Sequence, residues 1–343
     1  MNFKDDYSIG AHPLVIERIV SANETLEASY QHDSYSKEAA GLIKEKISNP
    51  NALVRFVAGG TLANLLVIAA SLRPHEAVIS VESGHINLHE TGAIENTGHK
   101  IISVQGNEGK IIPSEILKVL ETHNIPPHTV KPKMVYLSNS TELGSIYTKS
   151  ELKEIAEICK MNNLFLFMDG ARLGMALSSK KNDLSLREIA QLTDAFYIGG
   201  TKNGALMGEA IIINNEELKT DFDFHLKQKG ALVAKTRFFG AQFLGLFKND
   251  LYFELAAKAN QKAEELKIVL KKHEIPLKYP VETNQVFPIL RNVHIDELKK
   301  KVEFYVWESH DDEHSVIRLI TNWQTSEEEI KEFDQILSAL LKN

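Results

Sequence analysis

What most constrains this chain is a series of short stretches without polar alternation. Met134–Leu137, Leu164–Met168, Ala195–Ile198 and Ala210–Ile213 are apolar at every position. A strand with one wet face alternates, whereas a strand without alternation is covered on both faces. Leu53–Val57, Ala77–Val81 and Ile101–Val104 read as further strands. Helix-like segments over Ala39–Ile47, Ala63–Leu72 and Lys149–Met161 lie between them. This alternation predicts an α/β fold with a mostly parallel sheet and helices on both faces.

The later part of the chain reads differently. Helical patterns run from Ala231 through Phe247 and over Leu251–His273. Val286–Leu290, a helix near Ile295–Val302, Val316–Thr321 and Glu327–Leu341 then predict a smaller α/β domain. With 343 residues two domains are expected. The expected division is an N-terminal segment 1–20 without a clear period, a large domain over 21–247 and a small one over 248–343.

Charge and cysteine content exclude several classes. The chain has 39 Lys and Arg against 46 Asp and Glu, a net charge of −7. Such a balance offers no general attraction to nucleic acid or an anionic membrane. The longest apolar runs, such as Leu65–Leu72, are far short of the ~20 residues that span a bilayer. Met1–Asp6 does not read as a signal peptide. The single Cys159 allows neither an intrachain disulfide nor a cysteine metal cluster. A cytoplasmic protein acting on a small molecule, without a metal site, is expected.

Three segments carry chemistry. Asp169 directly follows the apolar run Leu164–Met168, so it lies at the carboxyl end of a strand, the edge where open α/β sheets bind ligands. Lys202 sits in the small-residue loop Gly199-Gly200-Thr201-Lys202-Asn203-Gly204 after another strand. Gly59-Gly60-Thr61 opens a helix, where backbone N–H groups and the helix dipole favour an anion such as phosphate. Together they are the parts pyridoxal phosphate requires: a phosphate cup, a carboxylate for the pyridine nitrogen and an amine for the aldehyde. No Gly-x-Gly-x-x-Gly turn follows a strand, and no Gly-x-x-x-x-Gly-Lys-Ser/Thr loop is present.

The order of cup, aspartate and lysine resembles the fold-type-I pyridoxal-phosphate enzymes, which implies a seven-stranded type of sheet. Asp169-Gly170-Ala171-Arg172-Leu173 resembles the hallmark of the threonine aldolase and β-eliminating lyase family. Gly60-Thr61-Leu62-Ala63-Asn64 resembles the family's phosphate segment, and Gly84-His85-Ile86-Asn87 with Glu90-Thr91-Gly92-Ala93 its histidine and glutamate segment. Lys202 with Gly208, and the strand around Arg318, complete a collinear set.

The resemblance implies roles. Lys202 would join the cofactor aldehyde as a Schiff base, Asp169 would bind the pyridine nitrogen, and His85 would lie against the ring. Gly60 and Thr61 would cradle the phosphate. Arg172 and Arg318 would hold the substrate carboxylate, with Arg172 also beside the cofactor. Lys235 would reach a neighbouring subunit's phosphate, with Lys229 and Arg237 competing for that role, so a dimer or tetramer is expected. The implied reaction cleaves a β-hydroxy-α-amino acid, L-threonine or L-allo-threonine, to glycine and an aldehyde. His85, or a water it holds, would be the base. Glu90 would orient His85 or the cofactor's phenolic oxygen. A β-eliminating lyase or an aminotransferase-like enzyme is the alternative. Where the family commonly has Glu-Asn-Thr-His-Asn, this chain has Ser138-Asn139-Ser140-Thr141-Glu142. Where the family has Arg-Ser-Asp-Thr near its start, this chain has Lys4-Asp5-Asp6-Tyr7.

Overall fold

A computed structural model describes residues 1–342. Seven strands form the large sheet: β1 Leu53–Val57, β2 Glu76–Val81, β3 Lys100–Val104, β4 Lys131–Ser138, β5 Phe165–Asp169, β6 Ala195–Gly199 and β7 Glu209–Ile213. Their order across the sheet is β1-β7-β6-β5-β4-β2-β3. Neighbours pair in parallel except where β7 joins β1 and β6 in antiparallel register. β5 is therefore central, and β2, β5, β6 and β7 are buried along their whole length, as unalternated sequences require.

One face of this sheet packs Val54, Ile79, Leu137 and Met168 against the helix Ser34–Lys46 and the helix Arg237–Phe247. The other face packs Val57, Tyr136, Phe167 and Tyr197 against Leu66 and Val67 of the helix Gly60–Ser71. A separate core forms from Leu266, Leu270, Val286, Ile317, Leu319 and Phe333. It lies on a smaller sheet of β8 Gln285–Val286, β9 Ile289–Arg291, β10 Tyr305–Ser309 and β11 His314–Ile320.

The 22-residue helix Leu251–Lys272 joins the two cores. Tyr252 and Leu255 near its start pack in the large core, and Ala263 through Leu270 pack in the small one. The N-terminal segment also touches both. Phe3 is buried in the small core, edge-on to Phe333 at 5.6 Å, and Val15 is buried in the large one.

Several expectations are corrected. Residues 13–23 form a helix, capped by His12 with Pro13 in its first turn. Its Leu14, Ile16 and Val20 are exposed while Val15 is buried, so apolar residues point all ways and no period shows in the sequence. Residues 231–236 are not helical; the helix begins at Arg237. Their backbone is committed elsewhere: Ala234 accepts the Tyr30 N–H at 3.2 Å, and the Thr236 hydroxyl accepts the Gln31 N–H at 2.5 Å. The stretch Val286–Leu290 is split into β8 and β9, and β10 had no sequence expectation at all.

Candidate active site

Five strand-to-loop connections meet at one edge of the large sheet. β1, β2, β4, β5 and β6 run in the same sense, so their carboxyl ends present Gly60, His85, Glu142, Arg172 and Lys202 respectively. A cavity of about 820 Å³ opens there. His85, Glu142, Arg172 and Lys202 line it from the large core, Tyr7 from the N-terminal segment, and Tyr305, Trp307 and Arg318 from the small sheet.

Asp169 ends β5 and is buried. Its Oδ1 accepts the Tyr197 hydroxyl at 2.5 Å and the Ala171 N–H at 2.9 Å. Its Oδ2 accepts the Tyr136 hydroxyl at 2.6 Å and Asn64 Nδ2 at 3.0 Å. Burial drives the pKa of this carboxyl upward, but the His85 charge and the tyrosine and backbone hydrogen bonds outweigh it and hold it below the ordinary value. Asp169 is thus a fixed negative charge at neutral pH. Asn64 Nδ2 also donates to Glu90 Oε1 at 2.7 Å, and that oxygen lies 2.8 Å from His85 Nδ1. A continuous chain therefore runs from His85 through Glu90 and Asn64 to Asp169. Glu90 thus contacts His85 directly.

Lys202 follows β6 in a turn, with its ammonium 5.8 Å from the centre of the Tyr7 ring. Burial and then the Arg172 charge lower its pKa, against the pull of Asp6, Asp169 and Glu209. A lysine held that way is a better nucleophile at neutral pH. Glu209, buried at the start of β7, accepts the Gly200 N–H at 2.8 Å and so fixes the turn that carries Lys202. Burial pushes its carboxyl up to about 8, against hydrogen bonds from Thr201 and Gly200.

The two arginines are not equivalent. Arg172 forms a two-point ion pair with Asp6, Nε to Oδ2 at 2.7 Å and Nη2 to Oδ1 at 3.0 Å. Asp6 also accepts Asn284 Nδ2 at 2.9 Å. Two of the five guanidinium N–H donors are therefore engaged inside the chain. Arg318, on β11, has no ion-pair partner among the described residues, and its Nε is buried without a hydrogen bond. It lies over the Trp307 and Tyr305 rings at 4.6 and 5.2 Å. Burial, followed by the like charge of Arg172, lowers its pKa to about 10. A cation left in this state binds an anion strongly.

Gly60 is the first residue of its helix, and no side chain caps that N-terminus. A Cβ at residue 60 would lie 2.9 Å from the Tyr197 hydroxyl, so only glycine lets the helix start come this close to the Asp169 cluster. Thr61 is exposed. Lys235 does not line the main cavity. It is exposed and borders a second, apolar cavity of about 550 Å³ with Val20, Leu206, Met207, Val233 and Phe238. Among the described residues no cluster of histidine, cysteine, aspartate or glutamate is placed to hold a metal ion.

Comparison with known proteins bears on this arrangement. Residues 14–292 match the family model described as beta-eliminating lyase. Over 336 residues the chain is 33% identical to the low specificity L-threonine aldolase of Pseudomonas aeruginosa, spanning 96% of this chain and 94% of that protein. The chain belongs to the threonine aldolase and β-eliminating lyase family.

The solved structure of a Leishmania major threonine aldolase superposes with a TM-score of 0.97 at 46% identity, covering 99% of both chains. The aspartate aminotransferase of Thermus thermophilus superposes with a TM-score of 0.73 at 15% identity over 99% of this chain and 91% of that one, which shows the shared fold alone. The chain thus has the fold-type-I architecture, with its collinear motifs gathered at one sheet edge.

Reasoning from sequence missed Asp6, Tyr136, Tyr197, Glu209 and Asn284. Tyr136 and Tyr197 stand inside apolar runs, where a tyrosine reads as core, although a buried hydroxyl requires a partner. Glu209 could have been found as a carboxylate directly before the apolar run Ala210–Ile213.

Proposed function

We propose that this protein is an aldolase that cleaves a β-hydroxy-α-amino acid, L-threonine or L-allo-threonine, to glycine and an aldehyde, using pyridoxal 5′-phosphate. The observation that carries this reading is the half-buried Arg318, without an ion-pair partner among the described residues and with its Nε shielded from solvent and unmatched, on the same cavity as Lys202. An amino acid carboxylate satisfies Arg318, and the remaining donors of Arg172 can share it.

The residues fit the cofactor. Gly60 and Thr61 at an uncapped helix start would hold its phosphate, Asp169 its pyridine nitrogen, Lys202 its aldehyde carbon and His85 a face of its ring. When bound, the cofactor supplies an electron-withdrawing ring conjugated to the substrate's amino group. The chain supplies the rest. Arg318 and Arg172 fix the carboxylate and so select which bond at Cα is turned for cleavage. Asp169, negative at neutral pH, keeps the ring nitrogen protonated. His85, steered by Glu90, and Glu142 both face the cavity and can hold a proton near the β-hydroxyl.

A second copy of the chain fits the reading. Val20, Leu206, Met207 and Val233 are exposed together around the second cavity, an apolar patch that assembly would cover, and Lys235 at its border would then reach a neighbour's phosphate. Among the described residues no helix is long and apolar enough to cross a membrane. A single buried cysteine accords with work in the cytoplasm. The function is tested by adding each threonine diastereomer, and phenylserine, to the cofactor-loaded protein and measuring glycine and aldehyde; absence of aldehyde from all of them refutes it.

A further inference from the structure

Three carboxylates line the main cavity, in unlike surroundings. Glu82 is exposed. Glu308 is half-buried, with Tyr279 Oη at 3.4 Å and Lys278 Nζ at 3.9 Å. Glu142 is buried, and its two oxygens differ. Oε1 accepts the His85 backbone N–H at 3.0 Å and the Ser138 hydroxyl at 2.7 Å. Oε2 is shielded from solvent and has no hydrogen-bond partner in the chain. The two bonds to Oε1 fix the plane of the carboxyl group, so Oε2 is a positioned acceptor rather than a mobile one. Leaving such an oxygen unmatched is unfavourable, and a ligand hydroxyl relieves the deficit.

The imidazole nearby is otherwise engaged. His85 Nδ1 is held by Glu90, and Glu90 is tied through Asn64 to Asp169. That chain couples the ring to Asp169 and suits His85 to packing on the cofactor.

Resting on the aldolase reading above, we propose that Glu142 Oε2 is the acceptor of the substrate's β-hydroxyl proton. In that step the O–H bond breaks and its proton passes to Oε2. The electron pair of that bond becomes the second bond of the aldehyde carbonyl as Cα–Cβ breaks. The Cα–Cβ pair stays on Cα, which takes up one proton. One proton is thus removed and one added for each threonine converted to glycine and acetaldehyde. Burial and then the Asp169 charge raise the pKa of Glu142, against the Ser138 hydrogen bond and the His85 charge. A carboxyl shifted upward is a stronger base at neutral pH. The titratable and charged groups that face it are His85, Asp169, Tyr136, Tyr147 and Arg172.

Glu142→Gln keeps the shape and the acceptor at Oε1 but removes the base. Four quantities separate its roles: cofactor affinity by absorbance titration, exchange of the glycine α-hydrogen with deuterated water, aldehyde release from threonine, and the pH profile of kcat/KM. Aldehyde release is expected to fall ~10²–10⁴-fold, with the acid limb of the profile lost. Cofactor affinity and glycine exchange, which involve no β-hydroxyl, are expected to stay close to wild type. Equal aldehyde release by the two proteins overturns the proposal. A parallel loss of cofactor affinity and exchange also overturns it, because Glu142 would then merely prop His85. A wild type that exchanges glycine but releases no aldehyde from any β-hydroxy amino acid defeats the aldolase reading itself, and this proposal with it.

Discussion

Asp6→Ala is the sharpest perturbation of the scaffold, because one side chain there ties three parts of the chain. Asp6 comes from the N-terminal segment, Arg172 from the turn after β5, and Asn284 from the start of the small sheet. Both ion-pair distances, 2.7 and 3.0 Å, and the 10% and 0% side-chain exposures of Arg172 and Asp6 describe a buried, two-point pair. Removing one partner leaves a buried guanidinium uncompensated, which costs about 3–5 kcal/mol. Total stability is of order 5–15 kcal/mol, so the loss is large. Equilibrium urea unfolding of the cofactor-free protein, followed by the fluorescence of Trp307 and Trp323, measures it.

The cycle through Asp6→Ala, Arg172→Met and the double variant isolates the pair. The double variant is expected to recover much of the stability that Asp6→Ala loses. An Asp6→Ala variant within about 1 kcal/mol of wild type would refute the reasoning, as would a double variant as unstable as the two singles summed. The pH dependence adds a check. Burial opposes ionisation of Asp6, yet the charges of Arg172 and Lys202 and the hydrogen bonds from Arg172 and Asn284 lower its pKa below the ordinary aspartate value. A depressed carboxyl contributes stability that is present above the unfolded value and is lost as pH falls through the folded value. Wild type therefore loses this contribution only in acid, and Asp6→Asn lacks it throughout.

Other outcomes follow from the site. Lys202→Ala should abolish covalent cofactor attachment, and borohydride reduction of wild type followed by peptide mass spectrometry should place the adduct on Lys202 and on no other lysine. Arg318→Met should lower kcat/KM for every amino acid substrate about 10- to 150-fold, the equivalent of 1.5–3 kcal/mol for a charged hydrogen bond. Because Arg318 has no ion-pair partner, the same variant should raise the urea midpoint of the cofactor-free protein, and a lowered midpoint would contradict its unpaired state. Asp169→Ala should slow glycine α-hydrogen exchange ~10²-fold or more, the scale of losing one positioned charge, with the circular dichroism spectrum kept.

How much of this was legible in sequence depended on how local the cause was. The apolar run before Asp169 predicts a buried strand, and the aspartate at its end falls at the ligand-binding edge because parallel strands all end there. The helix Lys149–Met161 was legible to the residue, since Thr148 and Glu151 close a capping box at its start. Arg318 was visible as a cation in an apolar strand. Its lack of a partner was not, because that depends on Asp6, more than 300 positions away, choosing Arg172 instead. β10 was hidden because Tyr305–Ser309 is largely exposed, so its composition carries no core signature. Glu142 stood in a segment read only for a missing histidine. Its buried, half-satisfied carboxyl is a product of the loop after β4 folding against His85.

The central claim is that this cavity breaks Cα–Cβ bonds beside a hydroxyl, and direct product analysis tests it. Cofactor-loaded protein is mixed separately with L-threonine, L-allo-threonine, phenylserine, serine and cysteine, and aldehyde and pyruvate are quantified. The account predicts glycine with acetaldehyde from at least one threonine diastereomer, or glycine with benzaldehyde from phenylserine, in equal amounts. Pyruvate from serine or cysteine with no aldehyde from any β-hydroxy amino acid would contradict it and assign the protein to β-elimination.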